Sequence, residues 1–206
     1  MSYSMETSVD SCYEGTTCLI NKLNIRDEQL LQETESAITL AKISYLDMNP
    51  MPGAYDFAHY RAIHRFLFSD LYDWAGELRT VDFSKKGTHF MAAERIEESA
   101  NACFARVAAL DFAAMESDER IEEIADFYST LNMIHPFREG NGRTQRVYFT
   151  QWLRHMGYEV EFSSIDPDIF MFATIHAAQG VLDDLKDIFA ELLFPQQEMG
   201  MQQTFL

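Results

Sequence analysis

One segment of the chain gathers side chains that suit the handling of phosphate: His135-Pro136-Phe137-Arg138-Glu139-Gly140-Asn141-Gly142-Arg143-Thr144-Gln145-Arg146. Proline disfavours helical backbone at the residue before it, so His135 falls where a helix ends and a loop opens, a place from which an imidazole can take a proton. Gly140, Asn141 and Gly142 tolerate positive φ, and successive amides in such a turn can curl into a concave set of N–H donors. The spacing that follows predicts a helix directly after them, and its positive end adds to those donors to make an anion site suited to phosphate. Arg143 and Arg146 lie three residues apart, on one helix face, and can hold further phosphate oxygens bidentately. Glu139 stands beside the loop, where one hard carboxylate oxygen could share a magnesium ion with those phosphates.

Each of these features has an ordinary alternative. A histidine at a helix end is commonly a cap or a packed residue, a Gly-Asn-Gly turn is commonly only a turn, and arginines on a helix are commonly solvated. The distribution of charge favours the combined reading. Arg138, Arg143, Arg146 and Arg154 face the single acid Glu139 over that stretch, inside a chain with 33 acidic and 16 basic residues and a formal charge of −17. Natural surfaces intersperse the two signs, so the concentration points to an anionic ligand. The glycines match neither a P-loop nor a dinucleotide fingerprint.

The elements that must position this segment read as helices. Leu30, Leu31, Thr34, Ile38, Ala41 and Tyr45 recur at helical spacing from Asp27 to about Asp47, before Asn49, Pro50, Pro52 and Gly53 stop the pattern. Asp56 is a candidate cap for a second helix running toward Trp74, with Phe57, Tyr60, Ile63, His64, Leu67 and Leu71 on one core-facing stripe. Further helices are expected over about 92–114, from Ser117 to Ile134, from the loop to Gly157, from Asp166-Pro167 to about Ala178, and from Val181 to Leu192. Between them, Leu78, Thr80 and Asp82 alternate with Arg79, Val81 and Phe83, meet Ser84-Lys85-Lys86-Gly87, and resume at Thr88, His89 and Phe90: the pattern of a β-hairpin. The fold class is therefore all-α with one hairpin. A lone hairpin is marginal in water, so this one must lean on the helices or serve as a working flap.

At 206 residues and 47% hydrophobic composition, the chain can bury one sizeable core and is not disordered. The acidic balance argues against nucleic acid and anionic membrane surfaces as partners. Three cysteines without a CxxC pair give neither a disulfide framework nor a zinc set. No signal peptide or membrane span is recognised, which leads to a cytoplasmic expectation. Residues 1–26 read as an irregular lead-in, 27–194 as the folded domain with a flap over about 78–91 and a loop at 135–143, and 195–206 as a frayed tail.

The segment His135 to Arg146 reproduces the pattern H-x-F-x-[DE]-G-N-G-R-x-x-R and is thereby identified as a member of the Fic-domain family, which transfers adenylyl groups from ATP to hydroxyl side chains of proteins. The resemblance extends outward. Phe66 to Arg79, with DLYDWAGELR, resembles the family's approach to its target-binding flap, and YEGTTCLINKLNIRD is similar to the lead-in of short bacterial members. The resemblance implies a Fic-type helical domain and an adenylyltransferase using ATP as co-substrate and Mg²⁺ as cofactor. It implies His135 as the base that takes the proton of a Ser, Thr or Tyr hydroxyl, and Glu139 as the Mg²⁺ ligand. Gly140, Asn141 and Gly142 would line the anion hole, with Asn141 at the α-phosphate, Arg143 at the β-phosphate and Arg146 at the γ-phosphate. Phe137 would anchor the loop in the core. The flap would pair with an extended target segment, with Lys86 and Gly87 at its turn approaching the nucleotide.

The family's inhibitory pattern [ST]-x-x-x-E-[GN] has no full match; the nearest is Asp10-Ser11-Cys12-Tyr13-Glu14-Gly15. The resemblance thus implies either a separate antitoxin-like partner that supplies the inhibitory glutamate to Arg146, making this chain the toxin of a pair, or an enzyme unregulated by that device. Competing functions are a related transfer (uridylylation, phosphocholination or phosphorylation) and a non-catalytic nucleotide-binding module.

Overall fold

Seven α-helices surround one aromatic core in the computed structural model, which describes residues 4–5, 11–85 and 88–195. Helix α1 spans Glu28–Met48, and the Asp27 carboxylate caps it by accepting from the Leu30 N–H at 2.8 Å. Asp56 does the same for α2, Phe57–Phe68, accepting from His59 N–H at 2.8 Å. The expected stripe of α2 is its buried face: Phe57, Tyr60, Ile63, His64 and Leu67. The helix stops at Phe68, short of Trp74, because the chain turns inward. Leu71, Tyr72 and Ala75 are still buried, but through a turn closed at Gly76, whose φ is +83°. A Cβ there would lie 2.9 Å from the Arg65 side chain.

Helix α3, Ile96–Ala108, follows a 3₁₀ turn at Ala93–Arg95 and is shorter at both ends than the sequence pattern suggests. The stretch after it forms turns instead, and Arg120 of the next helix donates to its carbonyls, to Phe112 at 2.8 Å and Met115 at 2.6 Å. Helices α4, Ser117–Ile134, and α5, Asn141–His155, flank the glycine-rich loop. Helix α6, Pro167–Ala178, carries the expected Asp166 cap and proline start, and α7, Asp183–Leu192, completes the set.

The strands depart further from expectation. The hairpin is real but small: β2, Phe83–Lys85, pairs antiparallel with β3, Thr88–His89, and Lys86 and Gly87 of its turn lie outside the described residues. It is not alone. Ser4–Met5, in the segment expected to be irregular, forms β1 and pairs with β2 in the register Ser4↔Ser84 and Met5↔Phe83, giving the order β1-β2-β3. Main-chain groups of the β2 edge thus gain partners that a two-stranded hairpin would leave to water. Tyr158–Glu159, β4, pairs antiparallel with Phe194–Pro195, β5, a second small sheet. The expected tail begins inside β5, and its remainder, from residue 196, lies outside the described residues.

Helix α5 packs on α2 and α4, while α6 and α7 cover the other side of α4. At the centre, Tyr60, Phe104, Phe127, Tyr148 and Phe149 meet at centroid separations such as 5.3 Å for Phe104–Phe127 and 5.4 Å for Tyr60–Tyr148, mostly edge to face. Among the described residues no helix is long and apolar enough to cross a membrane. Phe104 touches three of these rings and Phe57 besides, so Phe104→Ala should lower unfolding free energy by about 3–5 kcal/mol, read from the denaturant midpoint at an unchanged slope.

Candidate active site

The site lies where α4 ends and α5 begins. His135 has left-handed backbone, φ 46° and ψ 61°, and its N–H closes α4 on the Leu131 carbonyl at 3.1 Å. A non-glycine residue in that region is strained, and the surroundings must hold it there. Pro136 and Phe137 turn inward. Phe137 is fully buried, stacked between His64 at 3.8 Å and Tyr60 at 5.5 Å, so the loop is anchored on α2 as the sequence suggests.

The main chain of the loop is bound almost residue by residue. The Arg79 side chain donates to the carbonyls of Ile134 at 3.2 Å and His135 at 2.8 Å, and its backbone N–H donates to Pro136 at 2.9 Å. The Asn141 amide closes on Phe137 from both sides, Nδ2 donating to its carbonyl at 2.7 Å and Oδ1 accepting its N–H at 2.9 Å. His64 takes the Glu139 carbonyl at 3.0 Å. Its other ring nitrogen, Nδ1, accepts from the Gly76 N–H at 2.8 Å, which fixes the tautomer with the proton on Nε2. Gly140, φ +79°, completes the turn; a Cβ on it would fall 2.2 Å from the Phe68 ring.

Because the carbonyls are drawn inward, the first turn of α5 presents its amides outward. Among the described residues no side chain caps this helix, and the N–H groups of Asn141, Gly142 and Arg143 precede the first intrahelical bond, from Thr144 to Gly140 at 3.0 Å. The Asn141 side chain is buried in holding Phe137, so what it offers an anion is its main-chain amide. Arg143 lies over the Phe68 ring at 4.9 Å and is held from α1 by Glu35 and by Thr39, whose Oγ1 is 3.3 Å away. Arg146 lies near enough to the Tyr128 hydroxyl for its charge to act on it, and it reaches back to 3.4 Å from where a Cβ on Gly142 would stand. Both arginines border a groove of about 830 Å³ that runs along α5 past Thr150 and Arg154 to Phe162 and Ser163.

The His135 ring is buried and stacked on Phe90 of the flap at 3.9 Å, 12° from parallel, with Phe83 edge-on at 6.3 Å. Its Nδ1 is 3.2 Å from the Asn132 carbonyl, a bond that requires the proton on Nδ1 and leaves the lone pair of the neutral ring on Nε2. Glu139 accepts from its neighbour's N–H, at Gly140, through Oε1 at 2.8 Å, and Arg143 lies 3.4 Å from the same oxygen. Oε2 is the oxygen left to a hard cation. Among the described residues no three His, Cys, Asp or Glu side chains form a metal cage, so a cation here would complete its shell with phosphate oxygens and water, as magnesium commonly does. Lys86 and Gly87 are outside the described residues.

Three residues of the site escaped assignment from sequence. Glu35 gave no signal, being one of several acids on α1. His64 was visible as a histidine on a buried stripe, a position that obliges both ring nitrogens to find partners. Arg79 shares its alternation parity with Val81 and Phe83, an arginine where apolar residues face inward.

Fold and site together define a helical domain in which a glycine-rich turn opens a helix beside a buried imidazole and two arginines. The sequence pattern of the Fic/DOC family matches residues 54–153. A probable protein adenylyltransferase of Sinorhizobium fredii is 42% identical over 185 residues, 88% of this chain and 92% of that protein. The probable protein adenylyltransferase Fic of Escherichia coli is 32% identical over 182 residues, again 88% of this chain and 90% of that one. Among solved structures, BepC of Bartonella tribocorum, with bound AMPPNP, superposes with a TM-score of 0.82 at 28% identity, covering 91% of this chain and 98% of BepC. The chain belongs to the Fic/DOC family.

Burial lowers the His64 pKa to about 4, and the Arg143 charge adds to the effect. In the unfolded chain the ring ionises near 6.5, so between those values the unfolded state binds the extra proton, and stability falls as pH drops from about 6.5 toward 4. The full loss is on the order of 3 kcal/mol. Urea unfolding at pH 7 and pH 4.5 should show this decline in the wild type and a flatter dependence in His64→Gln, with His59, also lowered by burial, supplying part of the remainder.

Proposed function

We propose that the protein transfers the adenylyl group of ATP to a side-chain hydroxyl of a target protein. The observation that carries this reading is the His135 ring, with its lone pair on Nε2, next to the uncapped N-terminus of α5 and its two arginines. ATP would lie with its phosphates against the amides of Asn141, Gly142 and Arg143, the Arg143 guanidinium at the β-phosphate and Arg146 at the γ-phosphate. The target hydroxyl oxygen attacks the α-phosphorus as Nε2 of His135 takes its proton. The bond from the α-phosphorus to the bridging oxygen breaks, pyrophosphate leaves, and AMP stays on the target. Glu139 Oε2 would hold Mg²⁺, which when bound offsets phosphate charge. The protein contributes mainly position and fixed positive charge.

The target would dock as an extended segment on the flap. The β2 edge already carries Ser4–Met5, so the edge open to a target is that of β3, next to Phe90 on the His135 ring. An antitoxin-like partner supplying a glutamate to Arg146 fits the same site, since among the described residues Arg146 meets the neutral Tyr128 hydroxyl and no ion pair with a carboxylate is formed. Such a partner would make this chain the toxin of a pair.

ATP labelled at the α-position should transfer label to protein in a lysate, and ATP labelled at the γ-position should not. Label arriving only from the γ-position would replace adenylylation with phosphorylation. His135→Ala should abolish incorporation while ATP still binds; retained incorporation would remove the base from His135. Arg146→Ala should weaken ATP binding about 10–100-fold, measured by calorimetry, because charge-assisted hydrogen bonds to phosphate are lost.

A further inference from the structure

Arg79 is a buried cation whose nearest carboxylate is the exposed Asp82, 3.9 Å away. Its side chain has no exposure, so its charge must be met inside the protein. The partners are carbonyl oxygens from two separate elements. Nε and one terminal nitrogen reach His135 at 2.8 Å and Ile134 at 3.2 Å, the negative end of α4. The other terminal nitrogen donates to Val81 at 2.7 Å, just before β2, and the Arg79 fork also holds Met91, just after β3. The guanidinium face lies 4.8 Å from the Phe83 ring, and that ring is edge-on to His135. One side chain therefore grips both roots of the flap and the backbone of the strained histidine.

We propose that Arg79 is a positioning residue that fixes the flap and His135 as one rigid unit, so that a hydroxyl docked on the flap arrives at Nε2 of His135. This inference rests on the function proposed above. Its physical basis is the rigid planar fork: guanidinium donors diverge to carbonyls on opposite sides, whereas a lysine ammonium presents three donors from a single point. Arg79→Lys keeps the charge and loses the span. Flap and loop would then shift relative to one another, and misplacement on the order of 1 Å between reacting groups costs roughly 10²-fold in rate. The α5 amides, Arg143 and Arg146 are held by other contacts, so ATP binding should be spared.

The test compares wild type with Arg79→Lys at matched folded fraction, verified by cooperative thermal melting. The expected result is ATP affinity within about threefold by calorimetry and incorporation of α-label into lysate protein lower by about 10²-fold. Parallel losses in both, or no loss in either, would overturn the proposal, because a residue that only stabilises the fold has no means of separating them. Should Arg79→Lys fail to melt cooperatively, Phe83→Leu takes its place; it keeps every Arg79 donor and removes the ring linking the guanidinium to His135, and the same split at smaller size is expected. An activity-independent reading separates this proposal from the reading beneath it. If wild type labels nothing, the proposed function fails, and NMR of the folded variant decides for Arg79: displaced His135 imidazole signals together with faster amide exchange at Phe90 support it, and unchanged spectra reject it.

Discussion

A loop squeezed between two buried helix ends must find a partner for each carbonyl, and that requirement organises this protein. Ile134, His135, Pro136, Phe137 and Glu139 all surrender their carbonyl oxygens to Arg79, Asn141 or His64. An unsatisfied buried carbonyl costs about 1–3 kcal/mol, so the polar side chains at these positions are bound to the loop's path as firmly as apolar residues are to a core. With the carbonyls nearest α5, those of Phe137 and Glu139, held inward by Asn141 and His64, the amides that follow face out. The anion site is thus a by-product of how the loop solves its own hydrogen bonding.

The same requirement makes the site a composite. Helix α1 sends Glu35 and Thr39 to Arg143, α2 sends His64 and Phe68, the flap root sends Arg79, and α4 and α5 supply the loop itself. The aromatic core beneath ties these elements together through Tyr60 and Phe137. The formal charge of −17 is an average over a surface, and it does not describe this interior corner, where guanidinium groups stand against carbonyls, one buried carboxylate and aromatic faces.

Much of this was legible in the residues. Caps at Asp56 and Asp166 and the apolar stripes of the helices located these elements, because side-chain capping and burial act locally. The loop was legible because its pattern concentrates proline, glycine and arginine in one stretch. What escaped was long-range. No local signal pairs Ser4 with Ser84 or Tyr158 with Pro195, since strand partners are chosen by tertiary proximity. Helix lengths near 70 and 110 were overestimated because apolar spacing continued through turns whose burial is achieved by a change of direction. His64 and Arg79 looked like core and strand residues, and their duties appear only when the carbonyls they meet are brought beside them.

Tyr72 ties its hydroxyl to Glu35, Glu35 to Arg143, and the Tyr72 ring is stacked on Trp74 at 4.3 Å, with His64 6.0 Å from the same indole. Of the two tryptophans in the chain, this one is joined through a single tyrosine and a single carboxylate to the guanidinium that flanks the anion site. An indole so placed is an intrinsic optical reporter. Its emission should report whether Arg143 stays with its carboxylates or turns to a ligand, so that occupancy of a silent pocket would be read as a change of colour.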